Sequence, residues 1–217
     1  MNVISFVTQK GGTGKSSLAV SLAVAAEERG LKTSIIDLDP QGTAKNWYER
    51  RPGEGGPEVN ALSASQLEAA MGMLRKQGVD LVIIDTPGVD TPAATAAIQL
   101  SDLCLIPARP SIADIEAATP TVRSITKLGR KFSYVLNQCP PGRSIRTSDA
   151  FRVLQLSGAV AGTPLAMRAD HMDALATGLG VTERDTSSKA ATEIRELLQW
   201  ALTRIEGKQH GQEARVA

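Results

Sequence analysis

Residues Gln9 to Ser17, QKGGTGKSS, place three glycines, a threonine and two lysines within the seven positions from Lys10 to Ser16. Glycines leave a backbone free to turn several N–H groups toward one point. A lysine followed by a hydroxyl residue adds a cation and a metal ligand. That set suits a phosphate chain and its divalent cation. The spacing departs from G-x-x-x-x-G-K-[ST] in one respect, because Gln9 stands at the first glycine position. It also carries one cation too many: Lys15 is enough for a bound phosphate, and the use of Lys10 is open.

Gly11, Gly12, Thr13, Gly14, Lys15, Ser16 and Ser17 are the candidate phosphate-binding residues, with Ser16 also a candidate Mg²⁺ ligand. Further along, Asp85 closes the run LVIID, where a carboxylate is expected to hold the metal through water. Asp37 and Asp39 both stand at the end of the run KTSIIDLD. They are expected to point to different sides and do different jobs, one of them facing the γ-phosphate or the metal.

The elements that must position these residues can be read from hydrophobic patterning. NVISFVT is a short apolar run ending in the glycine cluster, and SSLAVSLAVAAEERG is a run of helix formers with Gly30 as its stop. With KTSIIDLD they form a strand–loop–helix–strand unit. DLVIIDTPG, DLCLIPAR and KFSYVLNQC are three more buried strands. Helices are expected from Gly42 to Arg50, from Ser65 to Gln77, and from Ile112 to Leu128 with Pro120 kinking or interrupting it. Past Pro141 helices are expected over Thr147–Leu156, Met172–Thr177 and Ser187–Ile205, with a short edge strand in GAVAGTPLA. The stretch Arg50–Glu58 reads as an exposed loop. The expected fold is α/β, a three-layer P-loop NTPase arrangement of a mostly parallel twisted sheet with helices on both faces. Residues 1–206 are expected to form one domain and 207–217 a flexible tail.

Composition narrows the class. The chain has 217 residues, 42% hydrophobic and only 3% aromatic, so its core must be aliphatic. A net charge of +1 gives no global pull on a polyanion. Cys104 and Cys139 are far apart in apolar segments and read as buried free thiols. No signal-like segment or apolar run of membrane-spanning length is present in the sequence, so a cytoplasmic location is expected.

KGGTGKS, DLDPQG and DLVIIDTPG together resemble the motifs of the ParA branch of the ParA/MinD family of P-loop ATPases, whose phosphate loop carries an extra lysine. The resemblance continues through YVLNQCPP and MRADHMDALATGLGVTERDTSSKAATEIRELL, nearly the whole chain. It implies that Lys10 crosses between subunits to the partner's phosphates, so that ATP and Mg²⁺ hold a homodimer together. It implies that Lys10 and Lys15 stabilise the transferred group and that Asp39 positions the attacking water. It places Asp37 and Asp85 with the metal, and Thr86-Pro87-Gly88 in a turn that responds to the γ-phosphate. Asn137 matches a reader of the adenine edge, with Pro140 or Pro141 against the base. Asn137 has the donor and acceptor for that task, and equally suits an Asx turn.

The resemblance further implies slow hydrolysis stimulated by a small partner protein of the centromere-binding type. It also implies non-specific DNA binding, nucleoid association with ATP, and segregation of plasmid or chromosomal DNA. The chain starts at its first strand, so no helix-turn-helix extension is expected. Thr121 to Arg152 carries Arg123, Lys127, Arg130, Lys131, Arg143, Arg146 and Arg152 against Asp149 alone. Such a segment can attract phosphates in a salt-dependent way, although charge runs also serve as solvated faces. Arg168, Arg184, Lys189 and Arg195 join the DNA candidates, and Arg146 alternatively lines the nucleotide loop. The alternatives are a protein cargo (carboxysome, chemoreceptor or conjugation apparatus) and a MinD-like division regulator. The tail RIEGKQHGQEARVA lacks the apolar face a membrane anchor needs, so no membrane partner is expected. A ligase or kinase and a non-hydrolysing switch complete the alternatives.

Overall fold

The computed structural model describes residues 1–53 and 55–207. Six strands form one sheet: β1 (Asn2–Phe6), β2 (Thr33–Asp37), β3 (Glu58–Ala61), β4 (Leu81–Asp85), β5 (Leu103–Ala108) and β6 (Phe132–Leu136). Their order is β3-β2-β4-β1-β5-β6, and every pairing is parallel. The intervening helices are α1 (Lys15–Glu28), α2 (Thr43–Glu49), α3 (Ala64–Lys76), α4 (Pro92–Leu100) and α5 (Ile112–Lys127). Past β6 come α6 (Ile145–Gln155), α7 (Ala169–Ala176), α8 (Val181–Arg184) and α9 (Lys189–Glu206).

The central strands are apolar throughout because both of their faces are covered. Ile4, Phe6, Leu81, Ile83, Leu103 and Leu105 point into a core shared with α1, α2, α7, α8 and α9. The alternate residues Val3, Val82 and Ile84 pack with α3 and α4, while Cys104 and Ile106 pack with α5 and α6. This is the expected three-layer arrangement. Cys104 and Cys139 are buried free thiols, each pushed up to about 11 by burial.

The differences from the sequence reading have local causes. β3 is additional to the expected strands, and the loop read over Arg50–Glu58 ends at its first residue: four half-exposed residues at a sheet edge need no apolar run. α4, which no apolar period announces, is set by Thr91, whose hydroxyl accepts from the Ala94 N–H, and by Pro92 in its first turn. Pro120 does not end α5, which runs unbroken through it. The segment expected to carry an edge strand makes only two isolated parallel bridges to β6 and its extension, Tyr134 with Val160 and Cys139 with Ala166. Four-residue α8 gives too short a pattern to read. The helices after Pro141 begin two or three residues from their expected starts. Of the expected tail, residues 208–217 lie outside the described residues, so the membrane-anchor reading falls there too. Among the described residues no helix is long and apolar enough to cross a membrane.

α2 follows the Asp39 loop, and its far end is locked to the α7–α8 region. Trp47 is fully buried and donates its indole N–H to the Leu179 carbonyl at 3.1 Å. Arg51 stacks over the Trp47 ring at 5.2 Å, donates to the Gly55 and Gly178 carbonyls, and pairs with Glu183. Gly178 takes φ +71°, and a Cβ there would lie 2.5 Å from the Arg50 backbone. Trp47→Ala should therefore lower stability by about 3–5 kcal/mol in urea unfolding, as for other fully buried aromatics. Trp47→Phe, which keeps a ring there but strands the Leu179 carbonyl and leaves a smaller void, should cost less, about 1–3 kcal/mol.

Candidate functional site

In a parallel sheet with helices on both faces, loops at the carboxyl ends of the strands gather at one edge. Here β4 lies between β1 and β2, and Asp85 stands in register with both Phe6 and Asp37. The Thr86 hydroxyl donates to the Phe6 carbonyl at 2.7 Å and ties the two strand ends together. Gly12 and Gly14 adopt left-handed φ of +73° and +91°, which only glycine enters freely. A Cβ at Gly14 would come within 2.4 Å of the Asn137 amide nitrogen. The loop thus turns tightly and opens on α1, whose first residue is Lys15.

A hollow of about 600 Å³ forms over this loop. Gly11, Gly12, Gly14, Lys15, Ser16 and Ser17 make its floor, Asp39 and Thr43 one side, and Pro87 and Gly88 the other. These predicted residues are brought together. Thr13 is instead buried within the loop, its carbonyl accepting from the Asn137 amide at 2.7 Å. Gly88 packs on the loop backbone: a Cβ there would lie 3.1 Å from Gly11 Cα.

Asp85 is fully buried, and neither of its carboxylate oxygens has a hydrogen-bond partner. Burial pushes its carboxyl up to about 7, the nearby Ser16 hydroxyl pulls it down, Asp37 pushes it up, Lys15 opposes, and Asp39 adds a smaller upward push. Burial also lowers the Lys15 ammonium, against the pull of Asp85 and then Asp39. An unpartnered buried carboxylate costs several kcal/mol unless a cation answers it, in the usual range of about 1–3 kcal/mol per neutral group and more for charged ones. Ser16 and Asp85 therefore fit a divalent cation held beside a phosphate chain.

Asp37 and Asp39 do divide their roles, although strand alternation is not the reason. Two residues apart on a continuing strand share a face. They part because β2 ends at Asp37. Asp37 is buried and accepts from the N–H groups of Asp39 and Lys45, both at 3.0 Å. It holds the loop and the start of α2, and it does not line the hollow. Asp39 does line it, with Oδ1 accepting from the Gln41 N–H.

Lys10 does not line this hollow. Its ammonium lies 3.1 Å from Asp114 in an adjoining hollow of about 620 Å³, beside Arg109, Pro140, Pro141 and Arg146. Asn137 and Ser17 instead border a recess of about 150 Å³ with Met167, Arg168 and His171. Gln138 and Met167 border both this recess and the hollow of Pro140 and Pro141, so the two lie side by side. Gln138, at φ 53°, donates its side-chain amide to the Gly12 carbonyl and was missed, as was Asp114. The one signal for Asp114 was Ser111-x-x-Asp114 opening a helix.

The DNA candidates differ in their partners and exposure. Arg168 pairs with Glu193 at 2.7 Å, Arg184 with Asp173, Arg195 with Glu28 and Arg152 with Asp149. Arg130 reaches the Ser101 carbonyl, and Lys131 is half-buried. Lys127, Arg143, Arg146 and Lys189 are exposed.

Comparison with known proteins agrees with this fold. A family model described as the CobQ/CobB/MinD/ParA nucleotide binding domain matches residues 4–214. A maintenance of carboxysome distribution protein A from Halothiobacillus neapolitanus is 27% identical over 87% of this chain and 91% of its own. Protein ParA of Rhizobium radiobacter is 30% identical over 58% of this chain and 57% of its own. The Pyrococcus horikoshii septum site-determining protein MinD, solved with Mg-ADP, superposes with a TM-score of 0.73 at 19% identity, covering 91% of this chain and 94% of that one.

The raised Asp85 value makes a pH prediction. In the nucleotide-free protein the folded state binds the extra proton between the ordinary carboxylate range and about 7, so stability falls as pH rises through that window. Asp85→Asn should raise the melting temperature at pH 8 and do so far less at pH 5. Equal gains at both pH values would contradict the assignment.

Proposed function

Because the chain belongs to the CobQ/CobB/MinD/ParA family of nucleotide-binding proteins, we propose that it is a Mg²⁺-dependent ATPase of the ParA type. In this reading two copies pair across ATP and act as a switch that positions a cargo. The observation that carries the pairing is the placement of Lys10. It belongs to the phosphate loop but lies outside that loop's hollow, where Lys15 already serves. A second phosphate-loop lysine outside its own site is available to phosphates held by another copy.

Within one copy, the N–H groups of Gly11 to Gly14 and the start of α1 receive the phosphates, and Lys15 offsets their charge. Ser16 and Asp85 would hold Mg²⁺, which when bound neutralises charge on the phosphate oxygens. Asp39 orients water against the terminal phosphate. A carboxylate suffices for this, because positioning governs phosphoryl transfer through a loose transition state. Asp37 anchors the Asp39 loop from beneath. Asn137 remains our choice for the base, with its amide nitrogen turned to Thr13 and its oxygen left for an amino group.

For the cargo, non-specific DNA carries the pair while a small partner protein stimulates hydrolysis, and plasmid or chromosomal DNA is moved. The DNA candidates that are exposed and outside the ion pairs described above are Lys127, Arg130, Arg143, Arg146 and Lys189. The carboxysome-distribution relative favours a second reading, in which a large protein assembly is the cargo. Both readings use the same switch.

Asp39→Ala should bind ATP, accumulate as a nucleotide-loaded dimer, and lose at least about 10²-fold in turnover, in line with loss of a group that positions the nucleophile. Turnover equal to wild type would sink its role. Duplex DNA of arbitrary sequence should bind with Mg²⁺ and ATP but not with ADP, and weaken steeply as salt rises from 50 to 200 mM, as phosphate neutralisation requires. Binding indifferent to nucleotide would rule out the DNA-carried switch while leaving the ATPase reading intact.

A further inference from the structure

Lys10 is not merely outside its own hollow; it is held. Its Nζ lies 3.1 Å from Asp114 Oδ2, and the Ser111 hydroxyl donates to the same oxygen. Arg109 Nε occupies the other oxygen at 2.9 Å. Ser111 is also the N-cap of α5, its hydroxyl accepting from the Asp114 N–H at 3.2 Å. The Asp114 side chain is 3% exposed and that of Lys10 is 27% exposed, so the lysine is the partner with room to leave.

The contact is asymmetric in what each side needs. Leaving a buried carboxylate with no cation is costly, but Asp114 keeps Arg109 and Ser111 when Lys10 departs. Burial raises the Asp114 carboxyl, and the hydrogen bonds from Ser111, Arg109 and Lys10 outweigh it and hold the group below its ordinary value. Lys10 has no second anion within its own copy among the described residues, and Arg109 and Arg146 line the same hollow. Neutralising Asp114 would leave three cations facing one another.

We infer that Asp114 is a positioning residue that parks Lys10 in cis, so that pairing across ATP requires the lysine to exchange Asp114 for the partner's phosphates. The inference rests on the reading of Lys10 as a residue that acts between copies. The turn carrying Gly88 touches the backbone of Lys10 and Gly11, at 3.5 Å from the Lys10 carbonyl carbon for a Cβ at Gly88. A terminal phosphate that moves this turn thereby reaches the parked lysine. The ion pair makes the resting state monomeric and sets the threshold for the switch.

The test compares dimerisation of wild type, Asp114→Asn, Lys10→Ala and the double variant by sedimentation, with Mg²⁺ and a non-hydrolysable ATP analogue. Analogue affinity is measured separately on the monomers. Asp114→Asn is isosteric and can keep the Ser111 contact. It should dimerise at a roughly five-fold lower protein concentration, the size expected for loss of one competing partly exposed ion pair. Its monomer affinity for the analogue should be unchanged, and the gain should vanish in the double variant. Equal or weaker dimerisation of Asp114→Asn, or a gain that survives Lys10→Ala, overturns the parking role. If Lys10→Ala alone dimerises like wild type, the trans role of Lys10 fails and the parking role with it; if it fails to dimerise while Asp114→Asn matches wild type, only the parking role fails. Amine labelling followed by mass spectrometry gives an arm that needs no variant. In nucleotide-free wild type Lys10 should label more slowly than the exposed Lys127, and equal rates overturn the inference.

Discussion

Everything at the functional edge is arranged around one unanswered charge. Asp85 ends the strand that separates β1 from β2, is fully buried, and has no hydrogen bond to either oxygen. Proteins rarely leave such a group alone, because desolvating a carboxylate without a partner works against folding. The phosphate loop above it supplies Ser16 and Lys15, and the whole assembly becomes electrostatically complete only with a cation and a phosphate chain. Register delivers this: parallel pairing sets Phe6, Asp37 and Asp85 side by side, so three loops leave the sheet from one place.

The second constraint is how little of the surrounding chain is free to respond. Asp37 fixes the start of α2 through the Lys45 N–H, and Trp47 with Arg51 fixes its far end. The short loop that carries Asp39 is tied to the Asp37 carboxylate through the Asp39 N–H. On the opposite wall, Gly88 lies close against Gly11, where a Cβ would come within 3.1 Å of the Gly11 Cα. A site walled by two short segments on rigid supports suits a device that must distinguish the presence of a terminal phosphate from its absence. Large rearrangements of the scaffold are not needed for it.

The two lysines show how the same residue type is given different work by its neighbours. Lys15 is buried at the helix start and faces Asp85 and Asp39. Lys10 is carried by the same loop, yet points away to a carboxylate contributed by α5. The arginines proposed for DNA are sorted by the same rule. Those already held by Glu193, Asp173 or Glu28 are tied to neighbouring elements, and the proposal of DNA contacts rests on the exposed ones without such partners.

Local patterns in the chain announced the aliphatic parallel strands, the glycine loop with its Lys-Ser, and the acids at strand ends, because each depends on residues near one another in sequence. Elements without an apolar period were not legible: β3 is a short, half-exposed edge strand and α4 is defined by its cap. The parting of Asp37 from Asp39 follows from where β2 stops, which is a property of its neighbours in the sheet. Lys10 could be recognised from sequence as surplus to its own loop, and nothing more. That it rests on Asp114, 104 residues away, was decided by the fold, since β1 and β5 pair in register and bring the loops that follow them together. Chemistry carried by a contiguous loop is written in residue order, whereas a charge pair between two loops exists only once the strands beneath them have paired.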